Sequence, residues 1–416
     1  MALNSVCIGN FKGVFDTQTI PLKPITLLIG PNSSGKSSII HALAALAQTV
    51  NLPNNTRPLV LDDEFAYVHL GRFIEIIHSK NYTHGITLGV TGGKSRIRRL
   101  EGKTASVLEG EPTTVYTFKS TRRTQDLFVE SAVIQVAGIS FELSRKKTGK
   151  YSIIASATGR SFGVDIRNGF AVDPSSVRFD PQTFAELNPL FSAERTVQQE
   201  LRKTLYLGPF RQPPQRRYPT RGSAPREVGP RGEATVTLLA NEMVQSKVRK
   251  HTKQVSEWFG SLGLAKNLSV SRVGGSDLFD VKITLEDGKQ FPLADLGYGF
   301  SQILPVLTQL SFAPDQATVL FEQPELHLHT LAVRPLAGVF IDAYKKKGLH
   351  IIAETHSPEL FGEFLVEMRK GNLKPSDFVA YKVVRKDTTS KITPIEIDLD
   401  DFDVYEIWKA GLSERC

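Results

Sequence analysis

The chain has 416 residues, 40% hydrophobic and 23% charged, which is the composition of an ordinary globular protein long enough for two or three domain-sized units. Lys+Arg 51 against Asp+Glu 43 gives a net charge of +8, a basic bias compatible with nucleic acid or an acidic partner and demanding neither. Two cysteines, Cys7 and Cys416, exclude a disulfide framework, and neither a signal peptide nor an apolar run of the roughly 18 residues that span a bilayer is present, so a cytoplasmic protein without a membrane segment is expected.

Short strands are expected at Val6–Ile8 and Thr19–Leu22, with Phe11 and Phe15 flanking a Lys12-Gly13 turn. Pro24 then opens an apolar strand containing Ile25, Leu27, Leu28 and Ile29. Directly after it comes I-G-P-N-S-S-G-K-S-S, which fits the phosphate-loop pattern G-x-x-x-x-G-K-[ST] at Gly30, Gly35, Lys36 and Ser37. Ile39, Ile40, Leu43, Ala44, Leu46 and Ala47 recur at helical spacing and predict a helix to about Val50. A strand, a glycine-bearing loop and a helix N-terminus make an anion site, because successive N–H groups point inward and the helix dipole adds positive charge there. The nucleotide-binding candidates are Gly30, Pro31, Asn32, Ser33, Ser34, Gly35, Lys36, Ser37 and Ser38. Lys36 is expected to reach the β- and γ-phosphates of ATP, and the Ser37 hydroxyl to sit on Mg²⁺.

Residues 55 to about 200 read as a β-rich insertion. Strands are predicted at Leu59–Leu61, Ile86–Val90, Val115–Phe118, Leu127–Val136, Ile139–Leu143 and Tyr151–Ala155, separated by turn signals such as Thr91-Gly92-Gly93 and Lys147-Thr148-Gly149. Basic clusters at Arg96, Arg98 and Arg99, at Arg122 and Arg123, and at Arg145, Lys146 and Lys147 suit solvated hairpin edges, where they discourage edge pairing, or a nucleic-acid or partner surface. The stretch T-L-Y-L-G-P-F-R-Q-P-P-Q-R-R-Y-P-T-R from Thr204, with V-G-P-R-G from Val228, holds too many prolines and glycines for a regular element. It is a structured loop or a linker, and it carries Arg211, Arg216, Arg217 and Arg221.

From Glu233 to Leu264 the apolar residues Leu238, Leu239, Met243, Val248, Val255, Trp258, Phe259 and Leu262 keep helical spacing, without the sustained heptads of a coiled-coil arm. Leu268–Val273 and Phe279–Leu285 alternate as strands, Glu286–Lys289 is a hairpin turn, and Gln290–Leu293 completes that region. The string D-L-G-Y-G-F-S-Q, Asp295 to Gln302, precedes an apolar helical run, so Gly297, Gly299 and Ser301 form a second potential anion site, although a tight turn explains the glycines equally well.

Ala317–Phe321 is an apolar strand that ends in Glu322-Gln323-Pro324-Glu325. A carboxylate at a strand end followed by x-Pro has the shape of a Walker B element, with Glu322 ordering Mg²⁺ through water. After a helix from about Leu331 to Lys346, Leu349–Ala353 forms another strand and delivers Glu354-Thr355-His356-Ser357. In this order His356 is expected to hydrogen-bond the γ-phosphate and report its presence. Glu325, His327 and His329 are acceptable zinc ligands by type, but they lie just past a strand already assigned to Mg²⁺, where packing or a subunit-facing loop is expected instead.

Together, N-F-K-G-V-F, I-G-P-N-S-S-G-K-S-S, Y-L-G-P-F-R, D-L-G-Y-G-F-S-Q, F-E-Q-P-E-L-H-L-H and E-T-H-S-P-E-L resemble the ABC-class ATPases of the SMC, RecF and OLD kind, in their compact bacterial branch. The resemblance covers most of the chain. It implies an α/β P-loop ATPase head of the ABC type, with a mixed sheet plus helices, a β-rich insertion and no long coiled coil. The corresponding stretches are residues 1–54 with the phosphate loop, 55–204 as the β-rich lobe, 205–264 as the Pro/Arg-rich loop and long helix, and 265–416 with the remaining motifs. It further implies ATP and Mg²⁺ as cofactors and a homodimer, or a larger homo-oligomer, that completes each site with the partner's Gly297–Ser301 turn. Members of this branch frequently serve anti-phage systems and control a separate nuclease or toxin. A Toprim-like nuclease within this chain after His356 is not expected, since Asp398, Asp400, Asp401 and Asp403 form only one short acidic run. The position that usually holds the catalytic glutamate is Gln323, so slow hydrolysis is expected, with Glu325 and His356 as candidate substitutes. A RecF-like ATPase in direct contact with DNA is the main alternative. A transporter subunit is a weaker one, because D-L-G-Y-G-F-S-Q departs from L-S-G-G-Q.

Overall fold

The computed structural model describes residues 3–399 apart from 53–54, 81, 102–103, 168, 178–179 and 220–224. Arg221, Asp400, Asp401 and Asp403, named above, lie outside the described residues, as do the side chains of Arg98 and Arg99. The chain forms two compact units, the first from residues 1–22, 33–204 and 385–391, the second from residues 23–32, 205–384 and 392–416.

Unit 1 is built on an eight-stranded sheet in the order Ser161–Val164, Tyr151–Ala155, Ile139–Arg145, Leu127–Val136, Thr113–Ser120, Ile86–Gly92, Leu3–Gly9 and Gln18–Pro21. Neighbours pair antiparallel, and the strict alternation of burial along Thr113–Ser120 marks one covered face. The strands read from sequence as an insertion therefore continue the sheet that the N-terminal strands begin. Two helices, Lys36–Asn51 and Pro181–Arg202, belong to this unit and pack on each other. The second has 22 residues and no counterpart in the sequence reading. Its buried Thr183, Leu187, Leu190, Glu194, Val197 and Leu201 follow helical spacing, and the Asp180 carboxylate caps its start by accepting from the N–H groups of Gln182 and Thr183.

Leu59–Leu61 is a correction, since no strand forms there. The helix side chains beside it take its backbone groups instead of a neighbouring strand. Gln48 Nε2 donates to Val60 O at 2.7 Å, and Val60 N donates to Thr49 Oγ1 at 2.9 Å.

Unit 2 centres on a six-stranded sheet ordered Thr204–Leu207, Thr318–Glu322, His350–Thr355, Ile25–Ile29, Phe378–Lys386 and Thr389–Pro394. Its central strands are parallel, and Ile25–Ile29 is buried along its whole length, as in a sheet covered on both faces. Helices Tyr298–Phe312, Thr330–Lys347 and Pro358–Arg369 supply Leu304, Leu307, Phe340, Phe361 and Phe364 to the core. A second sheet of Tyr218–Pro219, Leu278–Thr284, Asn267–Arg272 and Gln290–Pro292 completes the unit.

The long helix expected between Glu233 and Leu264 is two helices, Thr235–Gln245 and Lys250–Ser261. Ser246 is extended and Arg249 is left-handed at φ 50°, which breaks the ladder. Glu242 makes the break favourable, because its carboxylate accepts from the N–H groups of His251 and Thr252, both at 2.8 Å, at the start of the second helix. Among the described residues no helix is long and apolar enough to cross a membrane, and the longest is Pro181–Arg202.

Candidate functional site

Parallel register puts the chemistry at one edge of the unit 2 sheet. Glu322 pairs with Glu354, and Glu354 pairs with Leu28, so three strands end level and Gly30 leaves beside them. Ligands of open α/β sheets bind at this carboxyl edge. The phosphate loop starts there with Gly30, Pro31 and Asn32, and its remaining residues, Ser33 to Ser38, belong to unit 1.

The loop backbone has the form an anion needs. Gly30, Ser33 and Gly35 have φ of 153°, 61° and 103°, and helix Lys36–Asn51 begins without a side-chain cap or an acidic residue in its first turn. The cap position is a glycine without a side chain, and a helix start of this kind suits a phosphate. Ser34 Oγ is buried with no hydrogen-bond partner. Lys36 is 3% exposed, at the first position of the helix. A residue far along the chain supports the loop within unit 1. Ser390 Oγ donates to Ser34 O at 2.7 Å, and a Cβ at Gly35 would stand 2.2 Å from Ser390 Oγ.

At the end of Thr318–Glu322 the Glu322 side chain is buried, and its Oε1 accepts from the Tyr206 hydroxyl at 2.7 Å. Gln323 sits at φ 47°, left-handed and directly before Pro324, where both the side chain and the proline oppose that conformation. Its N–H donates to Glu354 O at 2.9 Å. Glu325 turns back to the neighbouring strand, where Oε1 accepts from Thr355 Oγ1 at 2.6 Å and from His356 N at 3.0 Å. Its Oε2 is buried with no hydrogen-bond partner, and burial raises its pKa above the ordinary carboxylate value, the Thr355 and His356 bonds opposing. His356 Nε2 lies 3.7 Å from Glu354 Oε1, and the ring is partly exposed.

The sheet edge thus gathers Glu322, Gln323, Glu325 and His356. Gly297 and Gly299 stand at the start of helix Tyr298–Phe312, which also lacks a side-chain cap. Gly299 has a packing reason as well, since a Cβ there would be 2.7 Å from His327 O. Ser301 is 5% exposed, and its hydroxyl donates to Tyr298 O within its own helix. His329 caps helix Thr330–Lys347 through Nδ1, which accepts from Leu331 N.

Sequence reasoning left Tyr206, Glu354 and Ser390 unassigned and gave Arg211 only to a basic loop. Arg211 is 4% exposed and donates to Gln302 O, Glu322 O and Gln323 O at 3.2, 3.3 and 3.0 Å. The signal was the string Y-L-G-P-F-R, whose tyrosine and arginine both turn inward. Arg216 in the same loop makes a two-pronged pair with Asp295, the first residue of D-L-G-Y-G-F-S-Q.

Family models match two parts of the chain. One described as an AAA ATPase domain covers residues 1–148, and one described as an AAA domain, putative AbiEii toxin of a type IV toxin–antitoxin system, covers residues 236–362. No curated protein sequence matches. Among solved structures the chain is similar to the SMC head domain from Thermotoga maritima, at 11% identity over 95% of this chain and 100% of that one, with a TM-score of 0.42. It is also similar to an Smc head bound to the C-terminal winged-helix domain of ScpA, at 12% identity over 96% and 98%, with a TM-score of 0.45. A third is the Smc head with an extended coiled coil bound to the C-terminal domain of ScpA derived from Pyrococcus furiosus, at 11% identity over 95% and 96%, with a TM-score of 0.42. Its phosphate loop and its carboxylate-ended and histidine-ended parallel strands lie in or beside the stretches that match the two AAA domain models, so the chain carries AAA-type ATPase-domain sequence at both ends of its site and resembles ABC-class ATPases of the SMC and RecF kind.

Proposed function

We propose that the chain is a slow, ATP-driven dimerising switch that controls a separate effector, a nuclease or toxin, in anti-phage defence. Gly30 to Ser38 would hold the triphosphate, and Mg²⁺, held through Ser37 and Glu322, would neutralise charge on the β- and γ-oxygens. The observation that carries the slow-switch reading is Gln323. An amide at the position after the metal-ordering carboxylate cannot take a proton from water, and loss of a general base costs about 10²–10⁴ in rate. The carboxylate two residues on, Glu325, is already an acceptor for Thr355 and His356. A long-lived ATP state suits assembly better than motion. The uncapped helix start at Gly297 supports pairing of two copies, because it offers a second anion site that a single phosphate loop does not need. The defence role is supported by the toxin-system description of the model matching residues 236–362.

ATP turnover tests this reading. Wild type is expected at or below the low end of the roughly 1–10³ s⁻¹ usual for enzymes, and Glu322→Gln is expected to abolish it. If Glu325→Gln leaves turnover unchanged while Glu322→Gln abolishes it, Glu325 is not the base.

Direct DNA contact is the second reading, and one feature of unit 1 favours it. The turns after Thr113–Ser120 and after Ile139–Arg145 fall at the same end of the sheet, since the strands between them alternate in direction. They expose Arg122, Arg123, Lys146, Lys147 and Lys150 together. Binding that neutralises several phosphates would weaken steeply between about 50 and 200 mM salt, and absence of binding at low salt with ATP excludes it.

A further inference from the structure

The edge strand Thr204–Leu207 runs beside Thr318–Glu322 and presents Tyr206 to the Glu322 carboxylate. Both side chains are buried, at 5% and 7% exposure. The phenol hydroxyl is the donor of this bond and the carboxylate oxygen its acceptor. A carboxyl group rotates freely about its last bond unless an oxygen is held, and the hydroxyl holds Oε1.

Five residues later Arg211 acts on the same strand end through the backbone. Its side chain is buried and offers only donors. Two of its bonds go to Glu322 O and Gln323 O, the carbonyls on either side of the left-handed bend at Gln323. The third goes to Gln302 O, in the helix that Gly297 leads. The guanidinium fork spreads its donors in a fixed plane over carbonyls of two different elements. A tyrosine and an arginine placed for packing alone would not converge on one carboxylate and the bend directly after it.

We propose that Tyr206 and Arg211 are positioning residues for Glu322, Tyr206 fixing the plane of its carboxyl group and Arg211 the strand end that carries it. The inference rests on the reading of Glu322 as the carboxylate directed at Mg²⁺.

The test is ATP affinity, measured by titration calorimetry in Mg²⁺ and in EDTA. Tyr206→Phe keeps the ring and removes the hydroxyl. It is expected to weaken binding in Mg²⁺ by about tenfold, while affinity in EDTA stays within roughly twofold of wild type. In a Glu322→Gln background the same change is expected to add less than roughly twofold, because nothing is left to position. Arg211→Lys is expected to fall between wild type and Arg211→Gln. An equal loss in Mg²⁺ and EDTA, or the full Tyr206→Phe effect in the Glu322→Gln background, overturns the proposal. Wild type that binds no ATP in either condition removes the nucleotide reading itself. That result is distinct from wild type and Tyr206→Phe binding alike in Mg²⁺, which removes only the positioning role.

Discussion

Glu194 makes the stability of unit 1 depend on pH in a direction opposite to that of most carboxylates. It sits at 4% exposure on helix Pro181–Arg202, against Tyr116, whose ring centroid lies 4.7 Å from that of Phe170. Its oxygens accept from the Tyr116 hydroxyl at 3.3 Å and from Val172 N at 3.2 Å, and burial outweighs those bonds to raise its pKa from 4.5 to about 8. The folded value lies above the unfolded one, so its contribution is fully present below about pH 4.5 and is lost as pH rises through about 8. At 1.36 kcal/mol per pKa unit, raising the pH from 5 to 9 removes about 4 kcal/mol. Glu194→Gln keeps the shape and cannot ionise. Trp258 belongs to unit 2, so its fluorescence does not report on unit 1. Hydrogen exchange in Thr113–Ser120 and Pro181–Arg202 does, with the opening free energy of wild type compared with that of the variant at each pH. Wild type is expected to lose protection relative to Glu194→Gln between pH 5 and pH 9. A difference that stays flat across that range refutes the reasoning.

Two further changes probe unit 2 through Trp258 fluorescence in urea. Gly299→Ala puts a Cβ 2.7 Å from His327 O, a backbone atom that cannot swing away, and should cost about 1–3 kcal/mol; an unshifted midpoint refutes the close approach. Lys347→Met removes the ammonium that donates to Leu310 O, Ser311 O and Ala313 O at the end of helix Tyr298–Phe312. Leaving those carbonyls without it should cost about 1–3 kcal/mol, and a variant as stable as wild type shows that water replaces the lysine.

The local features of the fold were legible because their causes are local. Ile25–Ile29, the phosphate loop and helix Lys36–Asn51 follow one another with the periodicity and glycines that each element requires. The hairpin around Glu286–Lys289 likewise follows from its turn residues and the alternation on either side. Where the sequence misled, a tertiary group intervened. Glu242 starts a second helix where apolar spacing runs on unbroken, and Gln48 and Thr49 occupy the backbone of an apolar run that reads as a strand. Helix Pro181–Arg202 was hidden by polar Glu194 on its buried face and by Pro189 in its interior. In the candidate site, the residues carried by motifs were visible, but their supports were not. Tyr206 meets Glu322 across 116 positions and Ser390 meets Ser34 across 356, and no periodicity marks either pair.

The central claim is that ATP held at Gly30 to Ser38 brings two copies of the chain together. Mass in solution tests it most directly, measured on wild type and Lys36→Ala with and without ATP and Mg²⁺. The 46.0 kDa chain is expected to double in mass only when ATP is present, and Lys36→Ala to remain a single chain under every condition. The same mass with and without ATP, or pairing of Lys36→Ala equal to that of wild type, contradicts the account.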